Sequence, residues 1–238
     1  MRGYYEETLS AERLRRCYEI APLRIRQYLH AELDHVLEAI RPGNVVLDLG
    51  CGYGRTLPAI AAKAGRVVGI DTSVSSLALG REMLRTYPHC MLIPMDATRL
   101  AFRNDVFDVV VCIQNGISAF HADQNELIRE ALRVTNVGGT ILFSSYSERI
   151  WKDRLHWFDL QAEAGLVGAI DLENSRDGAI VCQDGFTAST VGRDQFLALT
   201  QACDADVRIT EVDESSVFCE IMPRKSSRTD SAGHSTSK

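Results

Sequence analysis

The sequence lacks the features that would tie this protein to a nucleic acid or to a membrane. Its 238 residues carry a formal net charge of −6 and show no basic stripe interleaved with aromatic residues. Because nucleic-acid-binding surfaces are basic, we expect no nucleic-acid partner. No stretch approaches the roughly 18–20 apolar residues that span a bilayer, and the charged segment Met1–Arg16 has no apolar signal core. We therefore expect no membrane partner and a cytoplasmic location.

Cysteine pairs at metal-ligand or redox spacing are also missing. The chain has seven cysteines and no C-x-x-C pair: Cys17, Cys51, Cys90, Cys112, Cys182, Cys203 and Cys219. Because seven is an odd number, a complete set of intrachain disulfides is impossible. We expect free, mostly buried thiols in a reducing compartment, and no metal site.

The composition is that of an ordinary globular protein, with 45% hydrophobic and 24% charged residues. The length suits one α/β domain with a modest elaboration. Residues 8–40 have apolar side chains at helical spacing, and Pro22 predicts two helices there rather than one. We assign residues 1–43 to an N-terminal helical cap.

Strand and helix patterns alternate over the next hundred residues. The predicted strands are Val45–Gly50, Val67–Asp71, Cys90–Asp96, Phe107–Gln114 and Thr140–Ser147, and the helices are about 55–64, 75–86 and 123–135. Asn136–Gly139 predicts the end of the third helix, since glycine readily adopts the left-handed conformation found there. This alternation favours a parallel sheet covered on both sides by helices.

The pattern changes after Ser147. We predict a helix at Glu148–Leu166, a hairpin turning at Arg176–Gly178, a helix at 192–203 and a closing hairpin. We interpret residues 44–222 as one domain with a cap insertion at about 148–190. The tail, 223–238, has too few apolar residues to build a core, so we expect it to be disordered.

The first strand ends in three glycines at alternate positions, Gly50, Gly52 and Gly54. In a parallel sheet, ligands bind beyond the carboxyl ends of the strands, so this turn is the place to look for a site. A dinucleotide fingerprint would need its third glycine at position 55, which is Arg55. A Walker loop is absent as well. The spacing therefore speaks against NAD, FAD and phosphate transfer.

Three acids lie at or near the ends of adjacent predicted strands. Asp48 lies inside an apolar strand, where a carboxylate is costly to bury unless it is hydrogen-bonded or meets a cation. Asp71 ends the second strand, where an acid can accept hydrogen bonds from a ribose diol. Asp96 and Ala97 follow the third strand and can face an adenine edge. The acids suit a cationic nucleoside containing ribose and a purine, and S-adenosylmethionine meets these requirements.

Four segments, "VLDLGCGYG", "VVGID", "MDATRLAFRNDVFDVVVC" and "ALRVTNVGGTILFSS", resemble in order and spacing the motifs of class I S-adenosylmethionine-dependent methyltransferases. The resemblance covers about residues 44–147. It implies an α/β, three-layer, Rossmann-like fold whose seven-stranded sheet has the order 3-2-1-4-5-7-6, with strand 7 antiparallel. It also implies S-adenosyl-L-methionine as cofactor and S-adenosyl-L-homocysteine as product.

The same resemblance implies roles for individual residues. Gly50 and Gly52 would line the methionine portion, Asp71 would hold the ribose, Asp96 and Ala97 would contact adenine, and Gln114 would lie beside methionine. The predicted cofactor-binding set is Asp48, Gly50, Cys51, Gly52, Asp71, Thr72, Asp96, Ala97 and Gln114. We interpret Cys51 as a packed thiol rather than a nucleophile.

No catalytic residue is evident, and in-line methyl transfer gains its rate mainly from proximity and orientation. His121 is a weak candidate for a general base, and Asn115 is a candidate for shaping the acceptor pocket. Candidate lid and substrate residues are Tyr4, Tyr5, Tyr18, Asn115, Trp151, Trp157 and Phe158. We expect a small-molecule methyl acceptor, whose identity and attacking atom stay open, and a monomer or homodimer.

Three functions other than methyl transfer are alternatives. A non-catalytic S-adenosylmethionine-binding domain would share every cofactor residue. A nicotinamide-dependent oxidoreductase lacks its third glycine and a Tyr-x-x-x-Lys motif here. An aminopropyl transferase lacks its acid-rich polyamine pocket signature.

Overall fold

Helices and strands alternate along most of the chain, which the computed structural model describes at Tyr4 and over residues 8–224. The helices are α1 Ala11–Glu19, α2 Leu23–Ala39, α3 Leu57–Ala61, α4 Val74–Met83, α5 Gly116–Ala119, α6 Gln124–Val134, α7 Trp151–Glu163 and α8 Arg193–Thr200; a 3₁₀ turn, Glu148–Ile150, precedes α7. The strands are β1 Val45–Leu49, β2 Arg66–Asp71, β3 Cys90–Pro94, β4 Phe107–Cys112, β5 Thr135–Tyr146, β6 Ile180–Val181, β7 Thr187–Ala188, β8 Ala205–Val212 and β9 Ser216–Pro223. As predicted, Pro22 separates α1 from α2.

A seven-stranded sheet in the order β3-β2-β1-β4-β5-β9-β8 forms the centre of the fold. Strands β1 to β5 pair in parallel, and β9 runs antiparallel to both β5 and β8. With β8 and β9 counted as the sixth and seventh strands, this is the predicted order with its antiparallel last strand. The predicted α/β fold class is therefore confirmed.

Apolar clusters cover both faces of this sheet. On one face, Leu47 and Val110 pack with residues of α6 and α8. On the other, Val46 and Val111 pack with residues of α2, α3 and α4. Neighbouring residues of one strand point to opposite faces, so a strand covered on both sides is apolar throughout. This double burial explains why β1 is apolar at every position except Asp48.

A third apolar cluster joins α1, the start of α2, α7 and the β6–β7 hairpin. The Trp157 indole N–H donates to the carbonyl oxygen of Cys17 at 2.9 Å and ties α7 to α1. Arg154 is fully buried and donates to the carbonyls of Gly178 and Ala188 at 2.7 and 2.6 Å, which ties α7 to the hairpin. We call α1, α7 and this hairpin the cap.

The predicted turn at Arg176–Gly178 forms, with Asp177 and Gly178 both at positive φ. An isolated antiparallel bridge pairs Ile170 with Cys182 across it. The β6–β7 hairpin lies later, where the chain reverses over residues 182–186 and the Cys182 N–H donates to the Phe186 carbonyl at 2.9 Å. Arg154 donates to the Gly178 carbonyl and so holds the turn at 176–178 against α7.

The third predicted helix, 123–135, is present at Gln124–Val134, but Asn136–Gly139 does not cap it. Helix α6 ends at Val134, because Thr135 is already extended (φ −87°, ψ 132°) and begins β5. Gly138 has the left-handed φ of +82° that the pattern suggested, but it lies within β5. There the β4–β5 pairing changes register between Phe107 and Val109.

All seven cysteines are free thiols, and five of them are buried, as predicted. No helix within Tyr4 and residues 8–224 has the length and apolar character needed to cross a membrane. The predicted disordered tail, 223–238, begins too early, because Pro223 ends β9 and Arg224 donates to the Asp206 carboxylate at 3.0 Å. The rest of that tail, 225–238, and the candidate Tyr5 lie outside the described residues.

Candidate functional site

A cavity of about 390 Å³ lies beyond the carboxyl ends of β1, β2, β3 and β4 and is covered by α1 and α7. Its volume falls within the range of about 300–1,000 Å³ typical of small-molecule sites. Every predicted cofactor-binding residue lines it: Asp48, Gly50, Cys51, Gly52, Asp71, Thr72, Asp96, Ala97 and Gln114. The topology thus brings together residues from four separate strand ends.

The glycine turn forms the floor of the cavity. Gly50, Gly52 and Gly54 all have left-handed φ values, +75°, +56° and +80°. The N–H groups of Gly50 and Cys51 donate to the Ile70 carbonyl at 2.8 and 2.9 Å, which fixes the turn against β2. A Cβ added to Gly50 would lie 2.4 Å from the ring of Phe120. Conformation and space both therefore require glycine at position 50.

Asp71 is held in a fixed orientation at the end of β2. Its Oδ2 accepts from the Gly52 N–H at 2.8 Å, and its Oδ1 accepts from the Ser73 N–H at 2.7 Å. Ser73 in turn caps α4. These two bonds fix the Asp71 carboxylate at the edge of the cavity.

Asp96 and Ala97 lie at the edge of the cavity after β3. The Oδ1 of Asp96 accepts from both the N–H and the hydroxyl of Thr98, each at 2.8 Å, and its side chain is exposed. Ala97 is buried. A carboxylate beside a small apolar residue suits the polar edge and flat face of a purine.

Two buried acids lie at the inner end of the site. Asp48 is 3% exposed, and its Oδ2 accepts from the Thr56 hydroxyl at 3.2 Å. Glu32, on α2, is fully buried, and its Oε1 accepts from the Ser144 hydroxyl at 2.5 Å and from the Gln114 N–H at 3.1 Å. Burial raises the pKa of each carboxyl to about 7. A cationic ligand in the cavity, which Asp48 lines and Glu32 does not, would favour the ionised form of each carboxyl.

Arg55 is the cation of this site. It lines the cavity, its guanidinium lies 4.8 Å from the centroid of the Tyr18 ring, and its charge lowers the pKa of Asp48 and of Glu32 against the larger effect of burial. Its Nη2 is buried and has no hydrogen-bond partner among the described residues. Since an unsatisfied buried donor is costly, this atom fits an anionic ligand group.

Gln114 connects the cofactor residues to the cap. Gln114 and Asn115 both have left-handed φ values, +55° and +63°, a strained conformation that is uncommon outside glycine and concentrates at functional sites. The Tyr18 hydroxyl donates to the Gln114 Oε1 at 2.6 Å. Helix α1 is thereby fastened to the end of β4.

The start of α1 is fastened to α4. The Ala11 N–H donates to the Ser76 hydroxyl at 2.8 Å, and the Ser75 hydroxyl donates to that of Ser10 at 3.2 Å. Between these bonds and Tyr18, Leu14 lies close to the glycine turn. Helix α1 therefore covers the floor of the cavity and is attached at both ends.

The two catalytic candidates lie outside the lining of the cavity. Asn115 is buried, and its amide accepts from the Ser145 hydroxyl at 2.7 Å and donates to the Ser189 carbonyl at 2.8 Å. His121 is exposed, at positive φ. These contacts give Asn115 the role of holding the loop after β4 to the chain near the β6–β7 hairpin.

Aromatic rings form one wall of the cavity. Tyr18, Trp157 and Phe158 of the cap line it together with Tyr146 at the end of β5, whereas Trp151 of α7 does not. Tyr4 instead bonds Asp184 of the hairpin, through its hydroxyl, at 2.5 Å. Gln161 on α7 also lines the cavity and is 3% exposed.

Sequence reasoning missed Glu32, Arg55 and Gln161. Glu32 carried a usable signal, since it lies three residues after Leu29 and four before Val36 on the apolar face of a helix. In the sequence, Arg55 is informative only because it occupies the position of the third glycine of a dinucleotide fingerprint. Gln161 carried no signal, because the sequence does not say which face of α7 meets the cavity.

Comparison with known proteins matches residues 46–139 to a family described as a methyltransferase domain. Over 111 residues the chain is 32% identical to a demethylmenaquinone methyltransferase of Streptomyces avermitilis, covering 47% of this chain and 46% of the relative. Over 189 residues it is 28% identical to an arsenite methyltransferase of Aquipseudomonas alcaligenes, covering 72% and 52%. The chain thus spans about half the length of these curated relatives.

Among solved structures, the complex of DhpI with S-adenosylmethionine and HEP has the same fold. It aligns with a TM-score of 0.59 at 18% identity, over 92% of this chain and 94% of that one. At that identity the likeness concerns the fold alone.

Proposed function

We propose that this chain, whose residues 46–139 belong to the class I S-adenosylmethionine-dependent methyltransferases, transfers a methyl group from that cofactor to a small organic acceptor. The observation that carries the proposal is the convergence of the glycine turn with Asp48, Asp71 and Asp96 in one cavity. These groups match a nucleoside that bears a ribose, a purine and a positive charge.

The residues present fit the cofactor along its length. Asp71 would hold the ribose hydroxyls, and Asp96 with Ala97 would face the adenine. Gly50 and Gly52 would admit the methionine portion close to the backbone, and the buried Nη2 of Arg55 would take its carboxylate. The Arg55 Nη2 is the strongest sign of this fit, because this buried donor has no partner among the described residues and a ligand carboxylate would accept from it.

When bound, S-adenosylmethionine supplies a methyl group on a positively charged sulfur; the acceptor lone pair forms a bond to the methyl carbon as the carbon–sulfur bond breaks and its electron pair returns to sulfur. Asp48 and Glu32 provide negative charge near the cationic end of the cofactor. Tyr18 and Leu14 exclude water from above. The chain thus contributes orientation and a fixed electrostatic environment, which account for most of the rate in such displacements.

The cavity thiols favour an organic acceptor over a metalloid one, although one relative is an arsenite methyltransferase. Thiolates, not thiols, bind metal-like centres. Burial raises the pKa of Cys17 to about 12 and that of Cys51 well above its ordinary value. Both therefore stay protonated near neutral pH. Within the described residues, no three His, Cys, Asp or Glu side chains converge as a metal site would require.

We also propose that residues 44–222 form the methyltransferase domain, that 1–43 and the insertion at about 148–190 cover it, and that the protein acts in the cytoplasm as a monomer or homodimer. A non-catalytic S-adenosylmethionine-binding domain is the alternative, since it would use the same cofactor residues.

A turnover assay separates these possibilities. The protein is incubated with S-adenosylmethionine and a panel of small phenols, quinols, amines and thiols, and S-adenosylhomocysteine release is measured. Methyltransferase activity requires release above the acceptor-free background, together with a methylated product by mass spectrometry. Tight cofactor binding without product across the panel would favour the non-catalytic alternative, and no cofactor binding would reject both.

A further inference from the structure

The cavity has two chemically different ends. The charged side chains that line it, Asp48, Arg55, Asp71 and Asp96, all lie at or just beyond the carboxyl ends of β1, β2 and β3. The described residues that line it from the cap are uncharged. A cationic, zwitterionic cofactor satisfies the first end and leaves the second for another molecule.

The cap end is walled by aromatic rings that are tilted against one another. The Tyr18 and Trp157 centroids lie 6.0 Å apart at 45°, and those of Trp157 and Phe158 lie 6.1 Å apart at 63°. Tyr146 completes this wall. Rings of this kind bind apolar and aromatic surface, with added stabilisation from offset or edge-to-face contacts.

One polar group interrupts the aromatic wall. Gln161 is 3% exposed and lines the cavity, and its side-chain amide makes no hydrogen bond within the described part of the chain. The atoms of this amide are not among the fully buried ones that lack a partner, which agrees with an amide that faces the cavity. It can bond a ligand group that donates to its oxygen or accepts from its nitrogen. Because the cap residues that line the cavity carry no charge, a neutral polar group fits this end better than an ion.

We propose that the cap end is the acceptor subsite and that it takes an uncharged molecule with a planar ring and one hydroxyl or carbonyl group, which Gln161 recognises. The identification of this molecule as the methyl acceptor rests on the proposed function. The claim that such a molecule binds at the cap end does not depend on that function. Tyr18 lies between the two ends, close to both Arg55 and Trp157. A ring held by Trp157 and Gln161 therefore meets the cofactor beside Tyr18.

Equilibrium dialysis of the protein saturated with S-adenosylhomocysteine tests the subsite. The probes are 2-naphthol, naphthalene and 2-naphthoate, which share a ring system and differ in the polar group. We expect 2-naphthol to bind at least about tenfold more tightly than 2-naphthoate, since burying a carboxylate is costly and the cap residues that line the cavity are uncharged; the Arg154 guanidinium lies behind Tyr146, 4.3 Å from its ring centroid. Equal binding of these two probes, or no binding of 2-naphthol, would overturn the proposal.

Replacement of Gln161 tests the recognition itself. Gln161→Leu, which keeps the volume, should weaken 2-naphthol about fivefold, as expected for one neutral hydrogen bond, and leave naphthalene unchanged. Gln161→Asn, which withdraws the amide, should give a smaller loss. Gln201→Leu, at an exposed glutamine, is the matched control. An equal loss for naphthol and naphthalene would show that Gln161 only supports the fold and would reject the assignment.

Titration of S-adenosylhomocysteine by calorimetry in the same variants keeps the two proposals apart. The Gln161 variants should bind it within about twofold of the unmodified protein. If 2-naphthol binds and S-adenosylhomocysteine does not, the proposed function is rejected and the subsite proposal stands. If S-adenosylhomocysteine binds and 2-naphthol does not, only the subsite proposal is rejected.

Discussion

The sheet edge and the cap build the two ends of one cavity by different means. At the sheet edge the geometry is set by the backbone: left-handed glycines, and an Asp71 carboxylate gripped by two N–H groups. In the cap it is set by side chains that meet from distant parts of the chain, as in the bond from Trp157 to the Cys17 carbonyl. The first arrangement tolerates little change, and the second can be refitted to a new molecule without disturbing the sheet.

Gly50→Ala should have the largest effect, and it should impair cofactor binding at the sheet edge. The added Cβ needs a left-handed φ and displaces the Phe120 ring, which lines the same cavity. We expect S-adenosylmethionine affinity to fall at least about 100-fold by calorimetry, since the strain of about 1–2 kcal/mol adds to a blocked site. Gly138→Ala is the control, because Gly138 has a similar φ of +82° and open space around it. Equal losses in both variants would show that strain alone is responsible.

Asp71→Ala tests the carboxylate of the sheet edge. It removes hydrogen bonds to a charged acceptor, each contributing about 1.5–3 kcal/mol, so cofactor affinity should fall roughly 10- to 100-fold. Binding of 2-naphthol at the cap end should stay the same. Asp204→Ala, at an exposed loop acid, serves as the control. Unchanged cofactor affinity would remove Asp71 from the site.

The two buried acids predict a pH dependence confined to the sheet edge. Burial raises the pKa of Asp48 and of Glu32 to about 7, so the protonated forms stabilise the ligand-free protein at low pH, and this contribution is lost as pH rises through about 7. A cationic ligand favours the ionised forms, so cofactor affinity should rise over the same range with release of protons. Calorimetry in buffers of different ionisation enthalpy measures that release. Asp48→Asn should reduce it, and an affinity that falls with rising pH would contradict this account.

Tyr18→Phe should give the smallest effect and test the join between the two ends. It removes one hydrogen bond to Gln114 and keeps the ring beside Arg55. We expect a loss of about 1 kcal/mol in the local stability of α1, seen as faster amide hydrogen exchange there. Tyr87→Phe, remote from the cavity, should leave α1 unchanged. Unaltered exchange in the Tyr18 variant would mean that other contacts hold the helix.

The same contrast explains how far the sequence could be interpreted. The strand order and the cavity lining at Asp48, Asp71 and Ala97 were predictable, because each position is tied to a strand end a few residues away. Trp157 was only one of several aromatic candidates, and Gln161 could not be identified at all. Helical spacing shows which face of α7 is apolar, and it does not show whether that face meets a core or a cavity.

Asn115 is a residue whose position was predicted correctly but whose side-chain contacts were not. Its place after β4 suggested a pocket residue, yet its amide is taken by Ser145 and Ser189. A loop position can be predicted from the chain, but the direction of its side chain depends on partners thirty and seventy-four residues away.

Helix α1 is held at one end by Ser76 and at the other by Gln114, directly above the glycine turn. The attachment of α1 at both ends affects how fast ligands can enter and leave the cavity. Under the proposed function, S-adenosylhomocysteine would leave and fresh cofactor would enter past this helix, and the opening of such a segment belongs to the microsecond-to-millisecond motions that gate many enzymes. We therefore expect that the opening of the nine-residue helix α1, and not the methyl-transfer step, limits the turnover rate with a good acceptor.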